Sequence, residues 1–186
     1  MKRDKFKYRC VIRRRIKVLF VQNWELKLKK ILFILLIGHT VLFAGSQINN
    51  FKLKDLNNRS KSFSDLRGEN LTIIDFWATW CKPCIQAIPK LNKIYDEYKE
   101  QGVEIVGINA DSPRNSAKVK PFAKTLKIQY PILRDPNNEV TTELNVTAFP
   151  TLYIVNSKNE IVYTHIGFRP GDEKLLIEEI EKLLGK

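Results

Sequence analysis

Residues 71–77, Leu-Thr-Ile-Ile-Asp-Phe-Trp, are apolar apart from Thr72 and Asp75, and a cysteine pair, Cys81 and Cys84, follows within a few residues. A short run rich in β-branched and aromatic residues predicts a central strand buried on both faces. Past the cysteines, Ile85, Ile88, Leu91, Ile94, Tyr95 and Tyr98 recur at helical spacing, and Gly102 marks the stop. Cys81 is therefore expected at the N-terminus of a helix that leaves a buried strand.

The rest of the chain alternates in the same way. Residues 51–67 read as two short strands around a polar turn at Asn57-Asn58, with Ser64–Gly68 as one helical turn closed by Gly68. A second buried strand is expected over 103–111. Residues 114–127 predict a basic amphipathic helix with Val119, Phe122, Ala123 and Leu126 inward. Then come a strand at 130–135, a short helix at 138–145, strands at 151–156 and 160–166 joined by a turn, and a closing helix at 172–184 with Leu175, Leu176, Ile180, Leu183 and Leu184 apolar. Alternating helices and strands imply an α/β domain with helices on both faces of one sheet. The final hairpin makes that sheet mixed.

Three chemistries compete for Cys81 and Cys84. Zinc needs four ligands, and the only other candidates are Cys10, His39 and His165, so no metal site is expected. A disulfide closing so small a loop restrains the unfolded chain little. Redox exchange fits best. Helix N-terminal N–H groups and the dipole favour a Cys81 thiolate. Cys84, one turn on, can resolve the mixed disulfide that such a thiolate forms. Lys82 adds positive charge, and Pro83 suits a first turn, where its missing N–H costs nothing. Trp80 is expected to cover one side of the sulfurs. A carboxylate in an apolar strand is costly unless protonated or paired, so Asp75 is expected to carry a raised pKa and to exchange a proton with Cys84.

The net charge of +12 suggests nucleic acid until it is located. Residues 1–46 hold 12 of the 32 Lys and Arg but only two of the 20 acids, Asp4 and Glu25, which leaves +2 for the remainder. A nucleic-acid face is not expected. Residues 31–44 are apolar except for His39 and Thr40, follow a basic flank, and precede small residues at Ala44 and Ser46. That is the order of a secretory signal, cleaved after Ser46 or kept as a membrane anchor. The positive flank places the residues after 46 outside the cytoplasm. The long basic preface is atypical of a signal, and translation starting near Leu26 or Leu28 is expected. The domains are thus 1–46, basic and membrane-directed, and 47–186, folded.

The stretch Asp75–Cys84, DFWATWCKPC, resembles the active-site signature of the thioredoxin superfamily. The wider pattern, with Pro89, Glu104–Asp111, the 112–130 insert and Val146–Gly167, is similar to TlpA-like and ResA-like extracytoplasmic thiol-disulfide oxidoreductases. The resemblance covers residues 50–184. It implies a thioredoxin-like fold: a central mixed sheet flanked by helices, with an N-terminal β-hairpin and a central α insert. It implies that Cys81 attacks and Cys84 resolves, that Asp75 is the buried acid behind them, and that Pro150 holds a cis-proline position beside Cys81. Phe149 would then offer its backbone to an extended substrate strand. No cofactor is implied beyond the Cys81–Cys84 disulfide. The expected partners are protein disulfides or thiols and an electron donor in the membrane, with a monomeric enzyme that meets the membrane only through its N-terminal segment. Many ResA-like members carry a glutamate where this chain has Ala87, which weakens a cytochrome c maturation role. Alternatives are a peroxiredoxin-like peroxide reductase and a non-catalytic thioredoxin-fold module. Pro89 is read as a helix kink, His165 as an exposed strand residue, and Lys118, Lys120, Lys124 and Lys127 as a solvated face.

Overall fold

A computed structural model describes residues 46–186. The strands are β1 (Lys52–Asp55), β2 (Ser60–Ser62), β3 (Leu71–Trp77), β4 (Val103–Asn109), β5 (Ile132–Arg134), β6 (Thr151–Asn156) and β7 (Ile161–Ile166). The helices are α1 (Lys82–Tyr98), α2 (Ser116–Thr125), α3 (Glu139–Glu143) and α4 (Asp172–Leu183). Among the described residues no helix is long and apolar enough to cross a membrane. The apolar run 31–44, the signal or anchor read from it, the start site, Cys10 and His39 all lie outside the described residues.

The seven strands form one mixed sheet in the order β2-β1-β5-β4-β3-β6-β7. The β3–β4 and β4–β5 pairs are parallel, and the other pairs are antiparallel. All seven residues of β3 are buried, as its composition predicts. Successive side chains of a strand point to opposite faces. Ile73 therefore packs with Ala87, Leu91 and Ile94 of α1 and Leu176 and Ile180 of α4, and Trp77 packs with Val119 and Ala123 of α2. Ile74 and Phe76 face the other way, onto Ile48, Phe51, Phe63 and Val140. The result is the thioredoxin-like α/β fold with its N-terminal hairpin and α insert.

Several local expectations need correction. The turn after β2 begins at Phe63, capped by Ser62 and Asp65, and Gly68 does not close it. Gly68 is demanded by close approach instead: a Cβ there would sit 2.2 Å from the Leu71 carbonyl oxygen and 2.7 Å from that of Gly102. The second buried strand stops at Asn109, because the Asp111 amide turns back to the Asn109 side chain. Helix α2 is shorter than its apolar pattern: Asn115 stands at its N-cap position without a side-chain hydrogen bond, and past its end Lys127 turns left-handed, φ 53°. Leu175 is half-exposed, so the inner face of α4 rests on Leu176 and Ile180. His165 is not an exposed strand residue. Its Nε2 lies 3.0 Å from Asp172 Oδ2, which ties β7 to the first turn of α4. Lys118, Lys120, Lys124 and Lys127 are exposed as expected.

Candidate active site

Strand β3 ends at Trp77, and after three intervening residues Cys81 becomes the N-cap of α1. The loop between them is held by Asp111, a buried residue just past β4. Its carboxylate accepts from the Thr79 amide (2.8 Å) and the Thr79 hydroxyl (2.7 Å), and from the Asn109 side chain (2.8 Å). This clamp escapes sequence reasoning. Its one signal is an aspartate at the end of an apolar strand.

Cys81 and Cys84 form a disulfide, with 5.3 Å between their Cα atoms. The Cys81 sulfur also accepts the Cys84 amide at 3.2 Å, so it occupies the position of a capping side-chain oxygen. An N-cap sulfur is stabilised as a thiolate by the unpaired N–H groups and dipole of the first turn. Cys81 is 4% exposed and Cys84 1%. Lys82 and Pro83 occupy the first turn and face solvent. Trp80, in contrast, is 62% exposed, which excludes a packing role inside the core. It meets the Phe149 ring edge-on at 5.8 Å, and Phe149 packs in turn against the cluster holding both cysteines.

The Phe149-Pro150 bond is cis. The Pro150 carbonyl accepts from Gly167 (2.8 Å) and the Ala148 carbonyl from the Thr151 hydroxyl (2.8 Å). Among the described residues neither the amide nor the carbonyl of Phe149 takes part in a hydrogen bond. The structure thus brings Trp80 and Phe149 to the cluster that holds the disulfide, with Pro150 joined to Phe149 by the cis bond.

Asp75 is 1% exposed and lies on the β3 face shared with Trp77 and covered by α1. Burial pushes its carboxyl up to about 7, opposed by a hydrogen bond from Tyr130 (3.1 Å to Oδ2). Among the described residues Oδ1 has no partner. From sequence alone Tyr130 is only the start of a strand. The pairing spans 55 residues of sequence, and nothing local announces it. Ala87, where the resemblance puts a glutamate, is buried in the apolar core.

A thioredoxin-like sheet with a C-x-x-C disulfide at the head of the helix after its central strand defines a class, the thiol-disulfide oxidoreductases. Comparison with known proteins narrows this. The chain belongs to the AhpC/TSA family, whose sequence profile matches residues 44–164. It is 36% identical over 141 residues to the thiol-disulfide oxidoreductase ResA of Halalkalibacterium halodurans, covering 76% of this chain and 77% of that protein. It is 34% identical over 151 residues to the thioredoxin-like protein YneN of Bacillus subtilis, covering 74% and 87%. Among solved structures, StoA from Bacillus subtilis superposes with a TM-score of 0.60 at 30% identity, covering 72% of this chain and 97% of that one.

Proposed function

We propose that the protein reduces disulfides of other proteins outside the cytoplasm, by dithiol-disulfide exchange at Cys81 and Cys84. The observation that carries this reading is the Cys81–Cys84 disulfide at the N-cap of α1, with the Cys81 sulfur already accepting an amide of the first turn.

In the reduced protein the Cys81 thiolate attacks one sulfur of a substrate disulfide. A mixed disulfide forms, and the other substrate sulfur leaves as a thiolate that takes a proton from solvent. Cys84 gives its proton to the Asp75 carboxylate and attacks the Cys81 sulfur. The second substrate thiolate is released, and the Cys81–Cys84 disulfide closes. Two electrons pass to the substrate, and a dithiol donor must return them. A carboxyl that titrates near neutral pH can accept and return that proton. Trp80, Phe149 and Pro150 are the residues that would meet the substrate beside the sulfurs. The unpaired Phe149 backbone suits an extended substrate segment added as a short strand. Lys82 and Pro83 tune the first turn. The donor is a membrane protein, and this chain is a monomer that meets the membrane through residues 1–46, followed by a folded domain at 47–186.

A peroxide-reducing alternative fits the geometry less well. The Thr79 hydroxyl is committed to Asp111, and Cys81 is closed onto Cys84 rather than isolated in a pocket.

Turbidimetric reduction of insulin is the direct test, with hydrogen peroxide as the competing oxidant. Disulfide reduction should be fast, and peroxide consumption no faster than that of a free thiol. Titration against dithiothreitol or glutathione should give a potential toward the reducing end of the range of about −270 to −120 mV spanned by this fold. A value near −120 mV would instead make the protein an oxidant. Location is tested by fusing residues 1–60 to alkaline phosphatase, which is active only when exported. Inactivity of a stable fusion contradicts export.

A further inference from the structure

Asp75 and Tyr130 meet by an uncommon route. Asp75 on β3 is paired in register with Gly107 on β4, and Gly107 with Ile132 on β5. Tyr130 precedes β5, so its side chain must cross the whole of β4 to reach Asp75. It crosses at the glycine. A Cβ on Gly107 would lie 3.2 Å from Tyr130 Cε2 and 3.2 Å from Trp77 Nε1. Even an alanine would press on both rings, so the missing side chain of an otherwise apolar strand makes the passage. The Tyr130 ring is steadied by the edge-on Tyr95 ring of α1 at 6.1 Å. The Gly107 amide bonds the Pro131 carbonyl next to Tyr130 (2.8 Å), which fixes where that ring starts.

We propose that Tyr130 is a positioning residue for the redox site: its hydroxyl, carried over Gly107, holds Asp75 Oδ2 and leaves Oδ1 as the oxygen that exchanges a proton with Cys84. The inference rests on the reading above that Asp75 moves that proton, and it adds what orients the carboxyl and sets when it titrates. A carboxyl with both oxygens unpartnered could rotate and would be harder to ionise. With Oδ2 held, the proton is confined to one oxygen, and the carboxylate keeps one donor in an otherwise apolar site.

The surroundings leave this task to Tyr130. Trp77, from β3, and the cysteine pair of α1 share the covered face, and Tyr95 with Glu104 beside it lies behind Tyr130. Lys120 and Lys124 of α2 line a groove of about 570 Å³ on the outer side of Tyr130. Among the described residues no charged group contributes to the Asp75 shift: burial raises its pKa and the Tyr130 hydroxyl lowers it.

The test is Tyr130→Phe, which removes one oxygen and keeps the ring. The carboxyl titration is followed by ¹³C NMR of aspartate-labelled oxidised protein, with the Asp75 signal assigned by its loss in Asp75→Asn. The Asp75 midpoint should move up by at least about one pH unit, since a hydrogen bond to a charged group is worth that much. The pH profile of disulfide exchange should move with it. Replacing Tyr130 with 3-fluorotyrosine, a stronger donor of nearly the same shape, should move both the other way and needs no refolded core. A midpoint unchanged or lowered in Tyr130→Phe overturns the proposal, because a merely structural tyrosine would cost stability without shifting the titration upward. If Asp75→Asn leaves the rate and pH profile of exchange as they were, the role of Asp75 itself fails, whatever Tyr130→Phe does.

Discussion

Replacing Asp75 with asparagine should stabilise the oxidised protein at pH 8 by about 4 kcal/mol. The sign follows from the proton count. The carboxyl titrates near 7 in the folded chain, against an ordinary 3.8. Between those values the folded state holds a proton that the unfolded state has lost, so stability falls as pH rises through that window. Below pH 4 both states are protonated and no penalty remains. Above pH 7 the folded state holds a buried carboxylate, and a pKa difference of about three corresponds to about 4 kcal/mol. Asparagine has nearly the same shape, keeps an acceptor for the Tyr130 hydroxyl and never ionises. Urea denaturation at pH 4 and pH 8 separates the cases. Wild type and variant should be alike at pH 4 and diverge by pH 8. Equal stability at pH 8 would mean that Asp75 is not desolvated in solution. A gain in stability together with slower exchange would mark Asp75 as a group retained for chemistry at the expense of stability.

The second large effect concerns the sulfurs. Cys81→Ser should lower insulin reduction by roughly a thousand-fold or more, because a hydroxyl at that N-cap is no nucleophile near neutral pH. Cys84→Ser should be nearly as inactive in turnover for a different reason. Its Cys81 thiolate still attacks, but nothing resolves the adduct. The first variant therefore accumulates no mixed disulfide and the second accumulates it, which separates attacking from resolving sulfur where activity alone does not. The Cys84 amide bonded to the Cys81 sulfur and the lower exposure of Cys84 both favour this order.

The outline of this site can be read from sequence because its main parts are local. A buried strand, a tight loop and a helix opening on Cys81 lie within Leu71–Tyr98, and each follows from periodicity and turn chemistry. The Phe149-Pro150 turn was legible only through resemblance, since its place depends on β6 pairing with β3. The polar supports were not legible. Tyr130 reaches Asp75 across an intervening strand, and Asp111 reaches Thr79 from the end of a neighbouring strand. No window of sequence contains both members of either pair. Gly107 carries no signal of its own within β4 and proves to be the passage for a ring. Gly68 looked like a helix stop and proves to be a close backbone contact. In both cases the residue type was visible, and the partner that explains it was not.

The most direct test is a single turnover resolved by mass. Fully reduced protein is mixed with a peptide disulfide, quenched in acid at intervals, and mapped after digestion. The account predicts a transient peptide adduct on Cys81 alone, formed as the first peptide thiol leaves, followed by closure of Cys81–Cys84 in step with release of the second. In Cys84→Ser the same adduct should persist. An adduct borne by Cys84, or peptide reduction with no adduct and no Cys81–Cys84 disulfide, would contradict it.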